Sequence, residues 1–323
     1  MDLEFKSYIS ETINEDFGCD VYVLLQKSDE DFEVRKLILE EKHREDITYK
    51  FQITKKIKEI IVQKFLSADA EYKSGTDMYD NQNCFYVIKQ DDEFCPFSCL
   101  NMDDESLQEF QISDLDFVKG FLFKFIVQNE NGIKVVWAYQ KFNSYTIPNR
   151  KKDKQLLFNR NKTNVFEPLN ENVLVINNSI DLLIIENTII TNNIKLLERS
   201  FKLEKYIRSN AISVVKDIIE TDIVENGEKL IEYTNRSNKK YAKKMMQIRK
   251  YPVYTMRKEE LKEQILKNAR WKDSFKFCDD KIALITYKDV ENLIDLYTER
   301  YTRSDITNQE YDTSVKEKVS NKL

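Results

Sequence analysis

Two carboxylates and one run of cations are the residues whose type and spacing suggest chemistry. Asp181 immediately precedes the apolar run Leu182 to Ile185, and Glu198 lies between Leu197 and Phe201. A metal-dependent nuclease needs two or three acids and a lysine at a sheet edge, where the metal polarises the phosphate and generates the attacking hydroxide. Asp181 and Glu198 are therefore the weak catalytic candidates. Their simpler reading is a strand-end turn for Asp181 and a helix-start cap for Glu198. The triplets Glu40-Glu41-Lys42, Glu71-Tyr72-Lys73 and Asp279-Asp280-Lys281 have the acid, any residue, lysine spelling of such sites. In a chain this rich in both types, about six should arise by chance.

The cations are more informative. Arg236, Lys239, Lys240, Lys243, Lys244, Arg249, Lys250, Arg257 and Lys258 fall in one stretch without a single Asp or Glu, in a chain whose net charge is −5. The rest of the chain is correspondingly acidic. Helical spacing puts Tyr241, Met245 and Ile248 on one face and Arg236, Lys240, Lys243, Gln247 and Lys250 on another. A row of cations about 5–6 Å apart suits a phosphate backbone, where each neutralised phosphate releases counterions and makes affinity salt-dependent. Tyr251 and Tyr254 beside Pro252 are candidates for stacking on bases. The same pattern is also that of a solvated or internally paired face, or of a face that docks an acidic protein. Gln90 to Val118 is its opposite, carrying nine acids and no Lys or Arg. That stretch reads as a solubilising surface or a face for a basic partner.

Shortages exclude several classes. The five glycines, Gly18, Gly75, Gly120, Gly132 and Gly227, lie too far apart for a dinucleotide fingerprint or a phosphate-binding loop, so no nucleotide cofactor is expected. His43 is the only histidine and sits in a charged run, which rules out a multi-histidine zinc site and places it at the surface. Cys19, Cys84, Cys95, Cys99 and Cys278 are odd in number and read as reduced thiols, with no metal site expected. With no signal peptide evident and no apolar run near the roughly 20 residues of a membrane helix, the expectation is a cytoplasmic protein that needs a partner to reach a membrane.

The elements that must carry these residues divide in two. Val21 to Leu25 and Phe32 to Leu39 read as strands, and Ile53, Ile57, Ile60, Ile61 and Phe65 mark a helix. Cys84 to Ile88 is a further strand. Phe121 to Val127 and Ile133 to Tyr139 form a hairpin turned by Asn131-Gly132. The polar stretch Asn143 to Lys162 is the expected boundary between a mixed first domain, 1–148, and a second, 149–323. The second opens with a meander of Val173 to Ile176, Ile180 to Ile185 and Thr188 to Thr191. Helices follow from Leu196, with an apolar stripe of Phe201, Tyr206, Ile207, Ala211, Val214, Val215, Ile218 and Ile219, and more helix near 237–250, 258–268 and 287–298. The fold class is α+β, strand-rich at the start and helix-rich at the end.

Two segments carry a family resemblance. Asn178 to Asn193, reading Asn-Ser-Ile-Asp-Leu-Leu-Ile-Ile-Glu-Asn-Thr-Ile-Ile-Thr-Asn-Asn, leads into Leu197-Glu198-Arg199-Ser200-Phe201. An Asp-led apolar strand, a second strand, and a Phe-Glu-x-x-Phe-type helix opening resemble the prokaryotic KwaB-like family, with Leu197 in place of the first Phe. The ending from Leu293 to Tyr311, with Glu299-Arg300 and Ser304-x-Ile306-Thr307, is similar to the family's closing pattern, and the hairpin ending Trp137 to Lys141 also fits. The likeness spans roughly 120–311 and includes no catalytic motif.

The resemblance implies a component of the Kiwa type of anti-phage defence. Such a protein works beside a small multi-pass membrane protein and binds DNA to interfere with phage replication or transcription. The family leaves the DNA-contacting positions open, so Arg236, Lys239, Lys240, Lys243, Lys244, Arg249 and Lys250, with Arg300 and Arg303 as secondary candidates, rest on charge alone. A nuclease using Asp181 and Glu198, and a non-catalytic adaptor facing anionic lipid, are the alternatives. A homodimer is expected from the complementarity of the acidic and basic stretches.

Overall fold

A computed structural model describes residues 2–14, 18–28, 31–39, 49–75, 84–91, 94–101, 106–129, 132–142, 158–160, 166–168, 175–303 and 310–312. His43, the triplet at 40–42 and most of the stretch 143–162 lie outside them. The chain divides into two compact units, the first ending at Leu196 and the second opening at Leu197. The fold is mixed α+β, with most strands in the first unit and most helices in the second.

The first unit is built on one eight-stranded sheet. Its members are β1 (Asp20–Gln26), β2 (Phe32–Lys36), β3 (Tyr72–Ser74), β4 (Phe85–Lys89), β5 (Val118–Asn129), β6 (Gly132–Lys141), and, after the short pair β7 (Phe158–Arg160) and β8 (Phe166–Pro168), β9 (Leu182–Ile185) and β10 (Thr188–Thr191). The spatial order is β2-β1-β5-β6-β9-β10-β4-β3, antiparallel throughout except for β3 with β4. Strand alternation aims Val21, Val23 and Leu25, with Phe121, Phe123 and Phe125, at the face where α1 (Asp2–Asn14) and α2 (Tyr49–Phe65) supply Ile9, Ile13, Ile57, Ile61 and Phe65. These side chains are buried, and each contributes about 1.5–3 kcal/mol of hydrophobic stabilisation. The other face is also dry: Tyr22 and Trp137 meet edge to face at 5.2 Å, and Phe97 covers Tyr139 at 6.0 Å.

Several elements differ from the sequence expectation for identifiable reasons. The second strand stops at Lys36 rather than Leu39; past it one further in-register bond, from the Leu37 N–H to the Val21 carbonyl, follows the pairing with β1. Of the expected strand Val173 to Ile176, Val175 and Ile176 are irregular, and 173 and 174 lie outside the described residues. The buried Gln140 side chain takes a strand's place there, accepting from the Asn177 N–H at 2.9 Å and donating to the Asn177 carbonyl at 2.8 Å. The strands at 182–191, grouped by pattern with the helices after them, are central members of the large sheet, paired with β6 and β4.

The helix α3 (Ile194–Ser200) spans the boundary, and in the second unit α4 (Glu204–Glu220), α5 (Glu228–Thr234), α6 (Lys240–Gln247), α7 (Lys258–Lys267), α8 (Ala269–Ser274) and α9 (Tyr287–Tyr297) accompany a small sheet of β11 (Val224–Glu225), β12 (Phe277–Cys278) and β13 (Lys281–Ala283). A pair, β14 (Tyr301–Arg303) and β15 (Glu310–Asp312), closes the described chain. The helix α4 buries Tyr206, Ile207, Ala211, Val214, Val215 and Ile218 as the apolar stripe requires. Ile219 is the exception, 37% exposed; it lies against Gly227, where a Cβ would sit 2.7 Å from its side chain. No described helix is long and apolar enough to cross a membrane.

Candidate nucleic-acid interface

The basic stretch folds as α6 and two 3₁₀ turns, Ile248–Lys250 and Pro252–Thr255. Ala242, Met245, Met246 and Ile248 are buried and fix which side faces the core. Their counterpart is α4, which packs against α6. The first turn of α6 contains no acid, and Lys239 and Lys240 stand at its start. Cations there oppose the helix dipole, which favours negative charge at the N-terminus. A counter-charge comes from elsewhere in the unit: Glu198, only 13% exposed, takes Lys239 at 3.0 Å and Lys243 at 2.6 Å.

Further along the stripe the pairing continues. Arg249 reaches Asp217 at 2.7 Å and the Ser213 hydroxyl at 2.8 Å, and the Tyr254 hydroxyl donates to the same Asp217 carboxylate. Desolvation acts to raise the Asp217 pKa, but the hydrogen bonds from Tyr254 and Arg249 outweigh it and hold the carboxyl below its ordinary value. Lys258 meets Asp222 at 3.3 Å, beside Lys281. Tyr254, a stacking candidate by sequence, is thus engaged internally, its ring edge-on to Tyr297 at 6.5 Å.

The remaining cations behave differently. Lys240 is exposed and lies 4.9 Å from the Tyr241 ring. Lys244 and Arg257 have no ion-pair partner among the described residues, and Lys244 is one turn on from Lys240, on the same side of α6. Arg236 is held by rings, its guanidinium carbon 4.2 Å from Tyr241 and 4.9 Å from Tyr287. Arg300 contacts Asp295 at 3.3 Å. Arg303 ends β14, and its side chain lies outside the described part.

One residue essential to this arrangement escapes sequence reasoning. Arg208 on α4 donates to the carbonyls of Thr234, Arg236 and Ser237 at 3.2–3.3 Å while Glu204 holds its other edge. It closes the end of α5 and fixes the turn that carries Arg236. The only sequence signal was the Glu204–Arg208 helical spacing.

The two carboxylates of the nuclease alternative fall in different units. Asp181 forms the strand-end turn: its carboxylate accepts the Lys141 N–H at 2.7 Å, its N–H donates to the Tyr139 carbonyl, and its own carbonyl accepts from Thr191. Nearby, Lys64 donates to the Ile180 carbonyl at 2.7 Å, and burial pushes its ammonium pKa down against the pull of Asp181. Glu198 is not a helix-start cap, because α3 begins at Ile194 and the Asn193 side chain accepts the Leu196 N–H there. Among the described residues no three His, Cys, Asp or Glu side chains gather into a cluster suited to a metal ion.

Fold and surface together define an α+β protein of two units whose helical unit presents a cationic rim backed by internal acids. A family model described as "Kiwa protein KwaB-like" matches residues 115–307, from just before β5 through α9 and β14. The chain belongs to the KwaB-like family, and with it is a component of Kiwa anti-phage defence. No curated protein and no solved structure matches the chain.

Proposed function

We propose that this defence component binds DNA through the cationic rim of α6, with little sequence preference, and so interferes with phage replication or transcription. Phosphate contacts position a protein on DNA without reading bases, which suits an effector that must act on any invading genome. The observation that carries the proposal is the acid-free stretch from Arg236 to Lys258, in which Lys240, Lys244 and Arg257 meet no carboxylate among the described residues. Lys240 and Lys244 take the first phosphates. Lys239, Lys243, Arg249 and Lys250 border them, and Arg300 and Arg303 are secondary contacts.

The membrane association of the system rests, in this proposal, on a separate small multi-pass membrane protein, and the chain acts as a homodimer. A nuclease mechanism finds less support, since Asp181 caps a strand end and Glu198 neutralises two lysines.

The test is an anisotropy titration of a labelled DNA duplex at several salt concentrations, with and without magnesium. Wild type should bind with a steep salt dependence, and Lys240→Glu/Lys244→Glu should lose affinity and reduce the slope by about two. Absence of binding by wild type, or an unchanged slope in the double variant, refutes the assignment.

A further inference from the structure

Tyr287 is the first residue of α9 and is 42% exposed, beside Ile285, which is 57% exposed. Its position is fixed. Thr286 and Asp289 form a reciprocal capping box at this helix start, with the Asp289 carboxylate accepting the Thr286 N–H at 2.6 Å and the Ile285 N–H at 3.1 Å. The ring packs on Tyr233 at 6.2 Å, and Tyr233 packs edge-on to Tyr241 at 4.7 Å. Tyr233 is fully buried, and its hydroxyl has no hydrogen-bond partner among the described residues. That unpaired buried hydroxyl is a cost the fold carries at this aromatic cluster.

Arg236 sits against Tyr241 and Tyr287 and contacts no carboxylate among the described residues. A guanidinium held by ring contacts keeps the N–H donors in its own plane free for a phosphate. Lys240 lies 4.9 Å from the Tyr241 ring; Lys229, 5.9 Å from the Tyr287 ring, is already paired with Glu232 at 2.8 Å and is not counted in the site. Arg236 and Lys240 near an exposed tyrosine at a capped helix start offer two things together: charge for a backbone and a π face for a base. A duplex can use only the first, because its bases are stacked on each other.

We infer that Arg236 and Tyr287 form a subsite for unpaired nucleotides, with the base on Tyr287 and its phosphate on Arg236, so that this protein favours single-stranded DNA. The inference rests on the DNA-binding proposal and deepens it by naming the form of DNA. Single-stranded segments carry the required chemistry in accessible form, negative backbone and open base faces together.

The test compares a labelled oligothymidylate of about 20 nucleotides with a duplex of equal length, using the full chain. Tyr287→Ala should weaken single-strand binding about tenfold and leave duplex binding unchanged, while Tyr287→Phe keeps wild-type affinity for both. Tyr287→Leu, which keeps apolar bulk without a π face, guards against misfolding and should behave like the alanine variant; thermal unfolding confirms the fold of each. Equal weakening on both DNAs, or none on either, overturns the subsite while the cationic-rim proposal stands. If wild type binds neither DNA, both fall.

Discussion

The Lys243 ammonium lies 2.6 Å from the Glu198 carboxylate, and Lys239 shares the same acid. Glu198 therefore holds two cations of the rim away from any external phosphate, so its removal should have opposite signs under two mechanisms. We expect Glu198→Gln to tighten DNA binding several-fold and steepen the salt dependence, with a stability loss of about 1 kcal/mol for the lost pairs. A nuclease that used Glu198 would instead bind as before and stop cutting. Anisotropy and a gel of the same samples separate the two.

Arg208 is the strongest single support of the turn bearing Arg236, since one guanidinium serves three backbone carbonyls. Each carbonyl was left over from the end of α5 and its following turn. Arg208→Ala should cost about 1–3 kcal/mol, measured as a lower urea midpoint. Arg208→Lys should recover only part of that, because an ammonium does not span three acceptors in a plane.

Asp217 supplies a pH signature. Its carboxyl is held below its ordinary value by Tyr254 and Arg249 against desolvation, so the ionised form favours the folded state. That contribution is complete above the unfolded carboxylate pKa of about 3.9 and disappears as pH falls through the lower folded value. Wild type should therefore unfold at higher temperature than Asp217→Asn near neutral pH, and the two melting curves should converge in acid. A constant offset across the whole range would show that the pair contributes nothing through titration.

Local pattern made much of this molecule legible. The hairpin of β5 and β6, the helix α2 and the helices α4, α6, α7 and α9 follow from periodicity, because each buries a face that its own spacing defines. The pairings β1 with β5, β6 with β9 and β10 with β4 join strands far apart in sequence, and no local signal specifies them. The same distinction holds at the rim. The run of cations was visible, whereas its counter-charges Glu198, Asp217 and Asp222 come from 32 to 45 residues away, and only the fold brings them in. Arg236 is the clearest case: its charge was readable, but its seat against Tyr241 and Tyr287 depends on the α5–α6 turn, α6 and α9 coming together.

Two glycines in one hairpin should respond very differently to the same methyl group. Gly120 on β5 lies under the Tyr139 ring, whose hydroxyl reaches across to the Lys119 carbonyl at 3.0 Å. A Cβ there would run into that ring and into the Gln140 carbonyl oxygen, and the carbonyl belongs to the β5–β6 ladder and cannot swing away. Gly132, at the start of β6, has nothing within 4 Å of a Cβ but adopts φ +114°, so its substitution meets backbone strain alone. Gly132→Ala should cost about 1–3 kcal/mol, with near-native tyrosine and tryptophan spectra. Gly120→Ala carries a packing penalty of about 1–3 kcal/mol together with the loss of the Tyr139 hydrogen bond. It should therefore be the more damaging of the two in urea unfolding, and it alone should change the near-ultraviolet signal. The reverse order would mean that the Tyr139 ring moves aside freely and that β5 and β6 are held by their ladder without it.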